Sequence, residues 1–187
     1  MATEKAIHKI LDFWYEKPMS DHWFSSTSAI DAEIKQDYEA LWESAKAGEL
    51  NDWMLSPHAA NGCLALCILL DQFPLNMFRG KAKSFSTEQQ AVTISKYAIN
   101  KGLDQEISTQ RVSFLYMPLM HSENLDDQDL AVKSFAVRGL GHNLRFAKHH
   151  RDIIRQFGRF PHRNESLGRD STDAEIAYLN SDKAFKG

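Results

Sequence analysis

Hydrophobic positions recur every three to four residues along nearly the whole chain, and no stretch sustains period-two alternation between hairpin turns. The pattern predicts an all-α fold that needs no strands. A first helix is predicted over residues 3–16, with Ile7, Ile10, Leu11 and Trp14 on one face and Lys17-Pro18 as its stop. A second begins at Thr27 or Ser28, carries Ile30, Ile34, Tyr38, Leu41 and Trp42, and stops at Gly48. Ser56-Pro57 reads as a capping serine with proline at the first helical position. It opens a buried central helix that should end at Phe73, because Pro74 disfavours α geometry in the residue before it. Ser86-Thr-Glu-Gln89 reads as a capping box with Gly102 as the matching stop. Further helices are expected over residues 105–117, 123–138 and 142–157, and a second capping box, Thr172-Asp-Ala-Glu175, opens a short last one. Eight helices with short connections predict antiparallel pairs packed as a bundle or helical-hairpin array. No repeat of fixed period with the tetratricopeptide consensus is visible, so such an array is a degenerate one.

Composition narrows the setting. The chain has 187 residues, of which 43% are hydrophobic and 11% aromatic, enough for one globular domain. A domain of this size buries roughly 70% of its unfolded surface. No linker or low-complexity segment interrupts it. The longest apolar run, 63–70, is well short of the ~20 residues a membrane span requires. The first residues lack the apolar stretch of a signal peptide and the basic character of a transit sequence, so a cytoplasmic location is expected. Cys63 and Cys67 lie four apart on a helix, ~5 to 6 Å apart at Cβ, outside unstrained disulfide geometry. Their neighbours Leu64, Ala65, Leu66 and Ile68 offer no base, so they read as reduced core hydrophobes rather than a metal or redox pair.

Charge changes the picture more. The total is −3, but residues 138–169 hold eight Lys and Arg against Asp152 and Glu165, a segment of +6 beside a remainder of −9. Segregated charge of this kind suggests an anionic partner. Within it, Phe146, Ile153, Ile154 and Phe157 define an apolar stripe with His150 at its centre, so His150 is expected to be buried. Arg151, Arg155 and Arg159 leave from another face. Phe157-Gly-Arg-Phe-Pro-His-Arg-Asn164 then presents Arg159, His162, Arg163 and Asn164 from a turn shaped by Gly158 and Pro161. Guanidinium forks grip carboxylate or phosphate, and a nearby histidine can exchange a proton near neutrality. The alternative, equally weighted, is that these arginines pair with Asp and Glu on neighbouring helices.

Two further clusters carry candidate chemistry. Phe114-Leu-Tyr-Met-Pro-Leu-Met-His-Ser-Glu123 should end or kink at Pro118 and deliver His121 and Glu123 to a corner, although Ser122 capping the next helix accounts for Glu123 equally well. Asp71-Gln-Phe-Pro-Leu-Asn76 places a carboxylate at the end of an apolar helix, where an arginine from residues 151–163 is its expected partner. Phosphate-binding, dinucleotide, serine-hydrolase and zinc-protease motifs are absent from the sequence. No cofactor is called for, no His/Glu pair has metal-ligand spacing, and a pI near 6.2 argues against nucleic acid as a partner.

Taken together, Leu11-Asp-Phe-Trp-Tyr, Trp23-Phe24, Leu70-Asp-Gln-Phe-Pro, the segment 114–123, His150-Arg-Asp-Ile-Ile, Phe157 through Asn164 and Leu167-Gly-Arg-x-Ser-Thr172 resemble the bacterial family known as domain of unknown function 924. The family pattern has Arg after Asp-Gln-Phe-Pro where this chain has Leu75, which removes a cation from that place. The resemblance implies an all-α fold grouped with tetratricopeptide-like arrays and carries over no catalytic residue. The residues themselves point first to a polar pocket of Asp71, Asn76, His121, Glu123, His150, Arg159, His162, Arg163 and Asn164 binding a small anionic metabolite. If it is catalytic, His150 or His162 would exchange the proton, Arg159 and Arg163 clamp the anion, and Asp71 or Glu123 orient the base. The second reading is an interaction scaffold whose arginine-rich loop captures an acidic peptide or C-terminus. A third makes the cluster a buried ion network.

Overall fold

The computed structural model describes residues 2–55 and 57–186; Ser56, the predicted cap of the central helix, lies outside them. Among the described residues the chain is helical and contains no strand. α1 (Ala2–Tyr15) buries Ile7, Ile10, Leu11 and Trp14, as its spacing predicts. α2 (Ser28–Lys46) starts at Thr27, whose side chain accepts from the Ile30 amide, and buries Ile34, Tyr38 and Trp42. The chain then turns at Gly48, whose φ is +81°, a conformation that favours glycine.

The central helix begins at Ala59, not at Pro57, and does not stop at Phe73. α3 (Ala59–Cys67) passes into a π-helical turn, Ile68–Gln72, and continues as α4 (Phe73–Met77). Gly62 brings α3 against the backbone of Trp53, where a Cβ would come within 2.3 Å of the Trp53 carbonyl oxygen. The π turn explains how a helix survives Pro74. Proline has no N–H to give the carbonyl four residues back, and its ring crowds that carbonyl. That carbonyl belongs to Leu70, and it accepts instead from the Thr87 hydroxyl at 2.6 Å. Thr87 in turn accepts from Trp42 Nε1 at 3.1 Å, so one buried hydroxyl serves a freed carbonyl and an indole. Thr87→Val should leave both groups without a partner and lower the unfolding free energy by about 1–3 kcal/mol, read as a shifted urea midpoint.

α5 (Glu88–Asn100) follows, ending at Gly102 with φ +71°. The capping box predicted at its start does not form. Thr87 is spent on Leu70 and Ser86 donates to the Lys83 carbonyl, while Glu88 in the first turn accepts from the distant Arg163. The helix expected over residues 105–117 is a 3-10 turn, Leu103–Glu106, followed by α6 (Ser113–His121), which runs through Pro118 rather than ending there. Beside that proline the Leu115 carbonyl accepts from the Ser95 hydroxyl at 2.6 Å. α7 (Leu125–Val137) is capped by Asn124, not Ser122. α8 (Gly141–Phe157) buries Ala147, His150, Ile153 and Ile154 but leaves Phe146, assigned to the stripe, 41% exposed. α9 (Asp173–Leu179) carries the predicted Thr172–Glu175 capping box.

α1 and α5 pack on α3, α2 packs on α4, and α5, α6, α7 and α8 each lie against the next, so sequential neighbours form the array. One contiguous apolar core runs from Ile7 to Ala147. A small satellite core of Ile153, Ile154 and Phe160, with Phe157, Tyr178 and Phe185 against it, joins the end of α8 to α9 and the residues beyond.

Candidate functional site

The π turn and the passage of α6 through Pro118 bring Asp71 and His121 together, 50 residues apart in sequence. His121 Nδ1 lies 3.0 and 2.9 Å from the two carboxylate oxygens of Asp71. Asp71 is buried and also accepts from the Gln72 side-chain amide. An unpaired buried carboxylate would be expensive, and this one is held from two sides. A neutral imidazole that gives Nδ1–H to a carboxylate keeps Nε2 as a base, the arrangement that orients a general base. The expected arginine partner for Asp71 is not there: among the described residues its side chain bonds Gln72 and His121, and the guanidinium that reaches the His121 backbone is committed elsewhere.

That guanidinium is Arg163, in the 3-10 turn Pro161–Arg163. Its Nη1 donates to Glu88 Oε2 at 2.8 Å and its Nη2 to the His121 carbonyl at 2.8 Å, while its plane stacks 4.5 Å from the Phe85 ring centroid and 4.7 Å from that of Phe160. Arg163 therefore fixes the backbone of the very residue whose ring Asp71 holds. Glu88 completes the group. Burial pushes its carboxyl above the usual carboxylate range despite Arg163, and the Asp71 charge pushes the same way. Sequence reading missed Glu88, which falls between Ser86 and Gln89, the two residues that define the apparent capping box, and so carried no signal of its own.

His150 and His162 close the cluster. His150 is 3% exposed and donates through Nδ1 to the Phe146 carbonyl at 2.8 Å; burial drives its pKa down to about 3, and the His121 charge adds to the effect. Burial lowers His162 to about 4, with Arg163 and His121 adding to it. Both imidazoles are neutral at pH 7. Phe160 and Phe185 pack against both His150 and His162, and a charge on His121 is felt by both.

The other predicted site residues do other work. Asn76 donates to Asp31, where Ser26 and Arg79 also bond, at the α2–α4 junction. Glu123 accepts from the Phe160 amide and from both arms of Arg169; burial alone would raise its carboxyl, but these bonds leave it below the usual range. Arg159 grips both oxygens of Glu175 and the Asp170 carbonyl, which holds the Glu175 carboxyl down to about 2. Asn164 links Ser171, Glu175 and Arg169. Arg151 and Arg155 share Asp129 on α7. The forks read as an anion clamp are thus closed on internal carboxylates, the equally weighted alternative at the level of sequence.

Cys63 and Cys67 are free and buried, and burial pushes the Cys63 thiol up to about 12, so neither is an activated nucleophile. Among the described residues no group of three or more His, Cys, Asp or Glu is arranged to hold a metal ion, and no helix is long and apolar enough to cross a membrane.

The comparisons with known proteins agree with this architecture. A solved structure of a protein of unknown function from Agrobacterium tumefaciens is 37% identical, covers 95% of this chain and 98% of its own, and superposes with a TM-score of 0.88. No curated protein matches the chain. The sequence profile described as bacterial protein of unknown function, DUF924, matches residues 10–183. With nearly the whole length matched, the chain belongs to the DUF924 family.

Proposed function

We propose that the Asp71–His121 pair is the working centre of an acid–base site that takes a small carboxylate-bearing metabolite. The substrate carboxylate binds Arg163 in place of Glu88, whose charge burial already disfavours and whose protonation releases the guanidinium. His121 Nε2 then removes a proton from the bound molecule, and the Asp71 carboxylate stabilises the imidazolium that forms. The observation that carries this reading is the contact of one ring nitrogen of the partly exposed His121, Nδ1, with both oxygens of a buried carboxylate. Capture of an acidic peptide is the weaker reading, since it calls on several forks at once and Arg159 and Arg169 hold Glu175 and Glu123, whose carboxyls lie below the usual range.

A thermal-shift screen of small carboxylates and phosphates tests the proposal. A ligand at a hundred times its Kd raises native stability by about 2.7 kcal/mol. A stabilising carboxylate should lose its effect in Arg163→Lys, which cannot present a planar fork, and keep it in Asp71→Asn. Deuterium should enter the bound carboxylate from heavy water with the native protein and not with Asp71→Asn or His121→Ala. A screen in which no carboxylate or phosphate stabilises the protein, or a hit indifferent to Arg163, would sink the proposal.

A further inference from the structure

The residues after α9 form no helix, yet they end on the histidine cluster. Residues 180–183 are exposed, and the bonds that fasten the segment all run to Tyr178 or within the segment: the Ser181 amide and hydroxyl to the Tyr178 carbonyl, the Ala184 amide to the Ser181 carbonyl, and the Phe185 amide to the Tyr178 hydroxyl. Its main anchor is the Phe185 ring, 4.4 Å from the His150 ring centroid and 5.0 Å from that of His162. Phe160 stands 5.5 Å from each of the same imidazoles. Two neutral imidazoles and a phenyl ring thus make three walls of an aromatic box, and Phe185 fills it. Such a box favours a flat π system held by offset and edge-on contacts.

Two further observations point outward from the box. His162 Nδ1 is buried and has no hydrogen-bond partner among the described residues, so a ligand bearing a polar group that reaches this ring would satisfy it. A cleft of about 340 Å³, lined in part by Pro161, His162, Leu179 and Lys186, lies immediately beside it, so the strap that carries Phe185 also forms one rim of an opening to solvent.

We infer that residues 181–186 are a removable strap and that the space under Phe185 is a binding site for an aromatic or heteroaromatic ring bearing a hydrogen-bonding group, which displaces Phe185 and bonds His162 Nδ1. The phenyl ring of Phe185 stands in for the ligand ring. The inference does not depend on Asp71 and His121 being catalytic, because its readout lies on His150 and His162.

Indole, a flat ring with one N–H, and cyclohexanol, of similar girth but neither flat nor aromatic, serve as probes, followed through the His150 and His162 ring resonances by NMR. In Phe185→Ala those resonances should lose the ring-current shift of the phenyl group, and indole should bind at least tenfold tighter than to the native chain while cyclohexanol does not bind. Phe185→Leu, which keeps an apolar filler, should bind indole no better than the native chain. A peptide of residues 181–186 added to a chain ending at Asn180 should restore the ring-current shift and compete with indole. Equal indole affinity in native protein and Phe185→Ala overturns the inference. So does a Phe185→Ala protein that melts lower and binds no indole, which would make Phe185 a plain core residue; if that variant fails to fold, the chain ending at Asn180 decides by the same criterion.

Discussion

Arg163→Ala should destabilise the protein by about 3–5 kcal/mol, the range for removing one partner of a buried ion pair. The side chain is 6% exposed, and its loss strands Glu88 as a carboxylate already disfavoured by burial. It also leaves the His121 carbonyl without its donor and empties the slot between Phe85 and Phe160. The measurement is the urea midpoint at pH 7 for the native chain, Arg163→Ala, and the double replacement Arg163→Met with Glu88→Leu. Because an apolar pair of similar volume is often as stable as a buried ion pair, the double variant should recover most of the loss. A double variant as unstable as the single one would mean that stability rests on the His121 carbonyl bond, not on the charge pair.

Acidification should have an effect of similar size, and its direction follows from the two depressed histidines. His150 takes up a proton only near pH 3 in the fold and His162 only near pH 4, whereas an unfolded histidine does so near 6.5. Between those values the unfolded chain binds more protons, so stability is fully present above pH 6.5 and falls as pH drops, by about 1.4 kcal/mol per pH unit for each residue. From pH 7 to pH 5 the two together remove roughly 4 kcal/mol. Glu88, raised in the fold, titrates against this trend and offsets part of it, while Glu123 and Glu175, held low, add their own loss at more acid pH. The test is the slope of unfolding free energy against pH between 6.5 and 5, which should be shallower by about one proton in His150→Phe. An unchanged slope would show that His150 is not the group responsible.

Most of the fold was legible because it rests on periodicity. Ile7, Ile10, Leu11 and Trp14 in α1 and Ile34, Tyr38 and Trp42 in α2 are buried as their spacing requires. The boundaries misplaced at the two prolines share one cause. Local rules at Pro74 and Pro118 were overridden by hydroxyls from elsewhere in the chain, Thr87 and Ser95, which serve carbonyls near the two prolines, and that use of Thr87 is what a window around residues 86–89 does not show. No local window contains that information. The site was half legible for the same reason. Asp71, His121 and His150 stood out as buried or unexplained polar groups and His162 as the histidine of the arginine-rich turn, but the carboxylates that close the arginine forks, Glu88, Glu123 and Glu175, lie 75, 46 and 16 residues from their partners. An arginine's availability depends on whether such a partner folds against it, which composition does not encode.

The arginine–glutamate pairs have a consequence for how the molecule comes apart. Glu123 stands two residues from His121 and is bonded to Arg169 and to the Phe160 amide, Arg163 holds the His121 carbonyl itself, and Arg159 ties the same loop to α9 through Glu175. The loop cannot lift away without freeing the end of α6, and α9 cannot leave without stranding Arg159. These pieces therefore open as one cooperative unit rather than fraying residue by residue from the C-terminal side. The lifetime of a correctly aimed His121 ring is then set by the opening equilibrium of a region whose own apolar core is the small one around Ile153, Ile154 and Phe160, not by the much larger core beneath it.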